Sequence, residues 1–280
     1  MILDGVPTGP HLFSSVFSNE PLPDIEAAIV VAHPGDETFC ASWLMVRLQG
    51  RASVFCLTNA SHGCPSGLGG GSVGELPGPQ VRAGTIAAAA VAGVPADRCL
   101  NLGLSESELA YDLETLVWLT TAAVTALRPR VLITHACEGH NLDHDSTAFA
   151  VHMTARLMTR SGAAAPMVIE VPRRRAAGES NGHDFLIARQ GVKIEFGPQS
   201  RKVKRRMLQC HCDEQASIDR DTLQSESYVL ATEGNPLDGL ATATGAYPDA
   251  PWCQIADFRR GAREAASALS LAVLSPPSRA

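Results

Sequence analysis

A histidine and an aspartate three residues apart, His33 and Asp36, stand directly after the apolar run Ala27-Ala28-Ile29-Val30-Val31-Ala32. Imidazole nitrogen and carboxylate oxygen are ligand types that a divalent, zinc-like ion accepts. Two ligands do not make a site, and a turn histidine beside a helix-capping aspartate would explain the pair without a metal. A second cluster shifts the balance. Thr134 to Asp145 holds three histidines (His135, His140, His144) and three acids (Glu138, Asp143, Asp145) behind another apolar run, Val131-Leu132-Ile133. One of these histidines as third ligand would give a His/Asp/His site with an open position for water, the pattern of catalytic rather than structural zinc. Such an ion lowers the pKa of its water and polarises a carbonyl.

Both clusters must reach one place, and the surrounding elements predict how. A buried strand that stops in a turn such as Pro34-Gly35 projects its last side chains from the carboxyl edge of a sheet, where open α/β proteins place their sites. A helix is expected from Asp36 or Glu37 through Leu48, closed by Gly50, then a strand over Ser53 to Thr58. The Gly/Pro-rich passage from Asn59 to Gln80 reads as a long loop and a candidate lid. A helix from Val81 to Ala92 ends at Gly93, suited to a C-terminal cap, and a short strand follows at Cys99 to Leu102. A helix over Tyr111 to Leu127 stops before Pro129; a strand over Arg130 to His135 and a helix over Asp143 to Arg160 follow. This alternation predicts an α/β fold, Rossmann-like, with three α/β/α layers and a mostly parallel sheet.

The second half is less regular. Met167 to Val171 is expected as a strand, Phe185 to Ala188 and Val192 to Phe196 as a hairpin, Ser200 to Ser217 as a helix and Ser227 to Ala231 as a late strand. No composition break divides the 280 residues, so one domain is expected, with its core over about 25–230. Pro248, Pro251, Pro276 and Pro277 point to partial order in a tail over 243–280.

Composition narrows the function classes. The net charge of −6 gives no general attraction to nucleic acid or to an anionic membrane. The basic runs Arg173-Arg174-Arg175 and Arg201-Lys202-Val203-Lys204-Arg205-Arg206 read as solvated faces or as contacts to acidic groups of the same protein. No apolar run is long enough to span a bilayer and the first residues lack a signal-peptide pattern, so a cytoplasmic protein is expected. The eight cysteines read as reduced core thiols, and Cys210-His211-Cys212 as structural, because neighbouring side chains on a helix diverge.

On the two clusters the chain resembles the zinc-dependent de-N-acetylases of the PIG-L/LmbE type, which remove acetyl groups from N-acetylglucosamine-containing substrates. The family's Ala-His-Pro-Asp-Asp-Glu motif is similar to Ala32-His33-Pro34-Gly35-Asp36-Glu37, and its Glu-Gly-Gly-His-Pro-Asp-His to Glu138-Gly139-His140-Asn141-Leu142-Asp143-His144. The resemblance implies that His33, Asp36 and His144 hold Zn2+ or another divalent ion. It implies that Arg82 contacts a small acylated amino-sugar substrate, although Arg82 could equally pair with a surface acid. Leu102-Gly103-Leu104-Ser105-Glu106 resembles the family's Leu-Gly-x-x-Asp turn, and Lys202 to Gln215 its late Lys…Ser-Gln helix. Self-association is left open.

Two departures touch the chemistry. The family's general-base aspartate is Gly35, which has no titratable atom, and the histidine of the second motif aligns with Asn141. Asparagine can donate a hydrogen bond to an oxyanion but shuttles no proton at neutral pH. His140, Glu37 and Glu138 are the nearby substitutes. Glu37 equally suits a first-turn helix acid, and Glu138 a partner for loop amides. Asp143 is expected to orient a metal-bound histidine. His62 and Asn59 are candidate pocket residues, while His135 and Cys137 are expected to pack or bond to backbone. Three functions follow: a hydrolase that attacks an N-acyl carbonyl with metal-bound water, a catalytically impaired relative that keeps the metal site for binding or structure, or altered chemistry on another acyl or ester substrate.

Overall fold

Seven strands form the sheet that carries both clusters. The computed structural model describes residues 2–3, 6–7, 9–59, 78–172, 191–211, 221–231, 236–241 and 243–269. After a short ribbon of β1 (Ile2–Leu3) and β2 (Val6–Pro7) come α1 (Gly9–Phe17), β3 (Ala27–Val31), α2 (Asp36–Leu48), β4 (Ala52–Thr58), α3 (Gly78–Val91) and β5 (Cys99–Leu104). The chain continues through α4 (Leu113–Thr125), β6 (Val131–His135), α5 (Leu142–Arg160), β7 (Met167–Val171) and β8 (Gly191–Glu195). It closes with α6 (Pro198–Leu208), β9 (Ser225–Leu230) and α7 (Ile255–Ala268). Among these residues no helix is long and apolar enough to cross a membrane.

The sheet order is β5-β4-β3-β6-β7-β9-β8, parallel from β5 to β7 and antiparallel at β9. The expected α/β class with a mostly parallel sheet is therefore what the chain forms. The chain steps outward from β3 to β4 and β5, then returns to place β6 on the other side of β3. That reversal opens a crevice outside the carboxyl ends of β3 and β6, the topological switch point where doubly wound folds bind ligands.

Alternate strand residues feed opposite layers. Ala28, Val30, Phe55, Leu57 and Leu132 pack with α4, α5 and α7, while Ala27, Ile29, Val31, Val54 and Ile133 pack with α1, α2 and α3. Strands covered on both faces must be apolar throughout, which is why β3 reads Ala-Ala-Ile-Val-Val.

Several boundaries differ from expectation. The helix expected from Val81 begins three residues earlier, and Gly93 follows it at φ 81°. Val192 and its neighbours pair with β9, from Gly191↔Val229 to Glu195↔Ser225. The proposed partner Phe185 to Ala188 lies outside the described residues, as do most of the candidate lid, His62 and Arg173 to Arg175. The helix expected over Ser200 to Ser217 is α6, which ends at Leu208, and residues 212–220 again lie outside. Within the tail, α7 is ordered and buries Ile255, Phe258, Ala262, Ala265 and Ala266 in the core. Pro248 and Pro251 precede that helix, so its own sequence keeps an unbroken apolar stripe.

Helix α2 is two helices joined at Ala41, whose φ −133° and ψ 20° are not helical. The break frees backbone groups, and a buried ion pair satisfies them. Glu226 of β9 accepts hydrogen bonds from Ser42 N at 3.1 Å and Trp43 N at 3.0 Å, and also from the Ser42 and Tyr228 hydroxyls. Lys204 of α6 bonds Glu226 Oε1 at 2.6 Å and the Phe39 carbonyl at 2.8 Å. The carboxylate thus caps the second half of α2, and the ammonium ties down the first half, which carries Asp36.

Candidate metal centre

β3 ends in His33-Pro34-Gly35, and the turn closes with Asp36 N donating to the His33 carbonyl at 3.2 Å. Gly35 sits at φ 104° and ψ −30°, a conformation that only glycine adopts without strain. Its N–H donates to Glu37 Oε2 at 2.7 Å. Glu37 is fully buried; its other oxygen accepts from Thr38 Oγ1 at 3.1 Å and pairs with His211 Nε2 at 2.9 Å. Both oxygens of Glu37 are thus engaged behind the turn, at the start of α2. His211 of the Cys-His-Cys triplet serves the same packing, while Cys212 lies outside the described residues.

The second cluster follows β6 and enters α5 through a capped turn. Asn141 is the N-cap, its Oδ1 accepting from His144 N at 2.8 Å, and Asp249 accepts from Leu142 N at 3.1 Å. The buried Asp145 accepts from Glu138 N at 2.9 Å, Gly139 N at 2.8 Å and the Tyr247 hydroxyl at 2.8 Å. Burial pushes the Asp145 carboxyl up to about 6 despite those donors. Gly139 has φ 72°, and a Cβ there would lie 3.1 Å from Ile255, so this turn too calls for glycine.

These supports aim the two clusters at each other. Asp36 Oδ2 is the hub: it accepts from His33 N at 2.9 Å and lies 3.2 Å from His33 Nδ1, 3.3 Å from His144 Nε2 and 3.5 Å from His135 Nε2. His33, Asp36 and His144 each offer a ligand atom, all within 4.8 Å of one another. The outer nitrogen of His33, Nε2, lies 3.1 Å from Asp143 Oδ2, which also accepts from Ser107 N at 2.7 Å. Asp143 Oδ1 is buried with no hydrogen-bond partner among the described residues. Glu106 Oε1 lies 3.7 Å from the same nitrogen of His33.

Electrostatics follow from this crowding. Burial disfavours charge on His33, but hydrogen bonds to Asp143 and Asp36 outweigh it and raise its pKa to about 10. Burial alone would raise Asp36; the charge and hydrogen bond of His144, with those of His33, hold it well below the usual range instead. His135 is depressed by burial, accepts from Ala32 N at 3.0 Å through Nε2, and stacks on His144 with ring centroids 3.8 Å apart. The neutral His135 ring thus sets the plane of His144.

Of the residues named from sequence, His33, Asp36, Asp143 and His144 come together. Arg82 is exposed on α3 outside this cluster, and His140 is half-buried in the turn before α5. Ser107 is not among the sequence candidates, and Asp145 is there only as one of the acids of the second cluster. Glu106 had a signal in its Leu-Gly-x-x-acid turn, and His135 in its strand-end position.

Comparison with solved structures shows a shared fold. The A40926 pseudoaglycone deacetylase Dbv21 aligns at 14% identity over 75% of this chain and 100% of its own, with a TM-score of 0.53. A deacetylase–teicoplanin complex from the teicoplanin pathway aligns at 12% identity over 74% and 100%, with a TM-score of 0.53. The 4-carboxy-2-hydroxymuconate hydratase GalB of Pseudomonas putida KT2440 aligns at 15% identity over 74% and 97%, with a TM-score of 0.52. A hydratase among deacetylases means that this fold does not by itself choose the reaction. No curated protein sequence matches the chain. Residues 28–155, which supply His33, Asp36, Asp143 and His144, match the model of the PIG-L family, described as GlcNAc-PI de-N-acetylase, so the chain is PIG-L-like over the segment that carries the cluster.

Proposed function

We propose that the protein is a zinc-dependent hydrolase that removes an acyl group from the nitrogen of a small amino-sugar conjugate. The observation that carries this reading is the convergence of His33, Asp36 and His144 at the switch-point crevice, with Asp143 on the far nitrogen of His33. Two imidazoles and one carboxylate fit a catalytic zinc site, and a carboxylate behind a ligating histidine is its usual support. When bound, such an ion activates water and polarises the acyl carbonyl.

The chain's own residues would do the rest. Asp143 holds the His33 ring in place, and His135 supports His144. With Gly35 at the family's base position and Glu37 engaged elsewhere, Asp143 and Glu106 are the carboxylates besides the ligand Asp36 that lie against His33. Asp143 is committed to the His33 ring, and the more accessible Glu106 is proposed to accept the proton. Arg82, in the first turns of α3, is proposed to meet the substrate from outside. The test is release of acetate from N-acetylglucosamine conjugates by metal-loaded protein, with Glu106→Gln lowering turnover at unchanged zinc uptake and Asp143→Asn weakening zinc uptake itself. No release by a protein that binds zinc would favour the second reading, a catalytically impaired binder, for which Gly35 is the supporting observation.

Two results are expected. Gly35→Ala and Gly35→Asp should each lose about 1–3 kcal/mol of stability, the cost of a side chain in a glycine conformation. Only the aspartate should raise turnover; thermal melts and steady-state rates check both halves. Equal melting of Gly35→Ala and wild type would refute the backbone claim.

Zinc uptake should release protons. His33 keeps its proton up to about pH 10 because Asp143 and Asp36 favour the imidazolium over the cost of burial. That proton must leave when a ring nitrogen becomes a ligand, so apparent affinity should rise about tenfold per unit between roughly pH 7 and 9. Calorimetry in buffers of different ionisation heat measures the proton count, and a count of zero would sink the linkage.

A further inference from the structure

The two loops that brace the candidate centre each present an exposed aromatic ring, and the two rings meet. Tyr111 is 68% exposed and Trp252 54%, with ring centroids 5.3 Å apart and planes tilted by 34°. Neither ring is presented loosely. Tyr111 ends a short helical turn whose Leu109 is buried, and its N–H donates to the Glu108 carbonyl at 3.1 Å. Trp252 tops a loop closed by the Ala246↔Gln254 bridge and by Cys253 N donating to the Ala250 carbonyl at 2.9 Å.

Both loops are also fastened to the centre. The first carries Ser107, which donates to Asp143, and Glu106, which faces His33. The second carries Tyr247, bonded to Asp145, and Asp249, which caps the start of α5. Tyr111 lies four residues from Ser107 and Trp252 three from Asp249. The chain can span at most about 14 Å and about 11 Å over those separations. Both rings are therefore tethered by short stretches of chain to residues that bond the supports of the cluster. Two rigid aromatic faces beside a polar centre are how small-molecule sites hold the apolar side of a ligand.

We infer that Tyr111 and Trp252 form a subsite for a flat ring with an apolar face, attached to the amino sugar whose acyl group meets the cluster. This rests on the acyl-amino-sugar reading above. The ring could be a second sugar or an aryl aglycone, and the probes separate the two.

The experiment is equilibrium binding to zinc-loaded protein, followed by calorimetry and intrinsic fluorescence. The probes are N-acetylglucosamine, N,N′-diacetylchitobiose and phenyl 2-acetamido-2-deoxy-β-glucoside. Trp252→Ala and Tyr111→Ala should each weaken the disaccharide, the phenyl glycoside or both by about 2–10-fold, the worth of one aromatic contact, and leave N-acetylglucosamine unchanged. Trp252→Phe should restore binding. Because both side chains are exposed, the variants should melt like wild type. Equal binding of all probes by all variants overturns the subsite, as does failure of both extended probes to bind. So does a concentration-dependent dimer lost in Trp252→Ala with probe binding intact, which would assign the rings to a second copy of the chain. None of these results depends on turnover, so acetate release can succeed or fail independently.

Discussion

Asp36→Asn should abolish stoichiometric zinc uptake and lower deacylation by about 10³-fold or more. The substitution preserves shape and removes one negative charge. That charge is the hub to which His33, His144 and His135 point, at 3.2, 3.3 and 3.5 Å. An amide at the same place is a poor ligand for zinc and no counter-charge for two imidazoles. Metal activation supplies several kcal/mol of transition-state stabilisation, and each 1.36 kcal/mol is worth about a factor of ten. Metal analysis and single-turnover assays measure the two effects, and an unchanged melt shows that the fold survives. His135→Ala should cost less, about 10–100-fold in affinity, because that ring acts through His144 rather than as a ligand. If the Asp36→Asn protein binds zinc and turns over like wild type, the centre loses its proposed role.

Lys204→Met should be the most damaging change far from the crevice, costing about 3–5 kcal/mol. Lys204 and Glu226 are nearly inaccessible, and their charged groups lie 2.6 Å apart. Methionine fills similar volume but leaves the Glu226 charge without a counter-ion and the Phe39 carbonyl without its donor. A loss of that size in a chain this long lowers the melting midpoint by on the order of 10 °C. The first half of α2 should also loosen, weakening zinc affinity because it carries Asp36. Glu226→Gln should cost a similar amount, since it leaves the buried Lys204 charge unpaired and turns an amide NH2 toward the N–H of Ser42 or Trp43. If Lys204→Met melts within about 2 °C of wild type, the Lys204–Glu226 pair does not hold the helix as described.

Much of this was legible in the sequence. Apolar runs over Ala27 to Val31 and Val131 to Ile133 read as buried parallel strands because strands covered on both faces carry no polar positions. The polar residues that end those runs read as a site because strand ends face the crevice. What hid was everything set by distance along the chain. The run around Lys204 allows a contact to an acid of the same protein, but nothing local names Glu226 or says that β9 and α6 meet a break in α2. His211 looked inert within a helical triplet, yet it reaches Glu37, 174 residues earlier in sequence. The prolines around 248–251 suggested disorder, whereas the loop that holds them caps α5 through Asp249.

The sequence by itself determined the ligand types, their order and the two strands that deliver them, because those depend on local periodicity and turn chemistry. It also determined that Gly35 has no carboxylate. Only the tertiary structure decided which residues share the cluster. Sheet order brings β3 and β6 side by side, which sets Asp143 and His135 beside the turn after β3, while the loop after β5 brings Glu106 to His33 and His211 pairs with the buried Glu37. A carboxylate's role follows from what its oxygens already bond, and those partners come from elements distant in sequence.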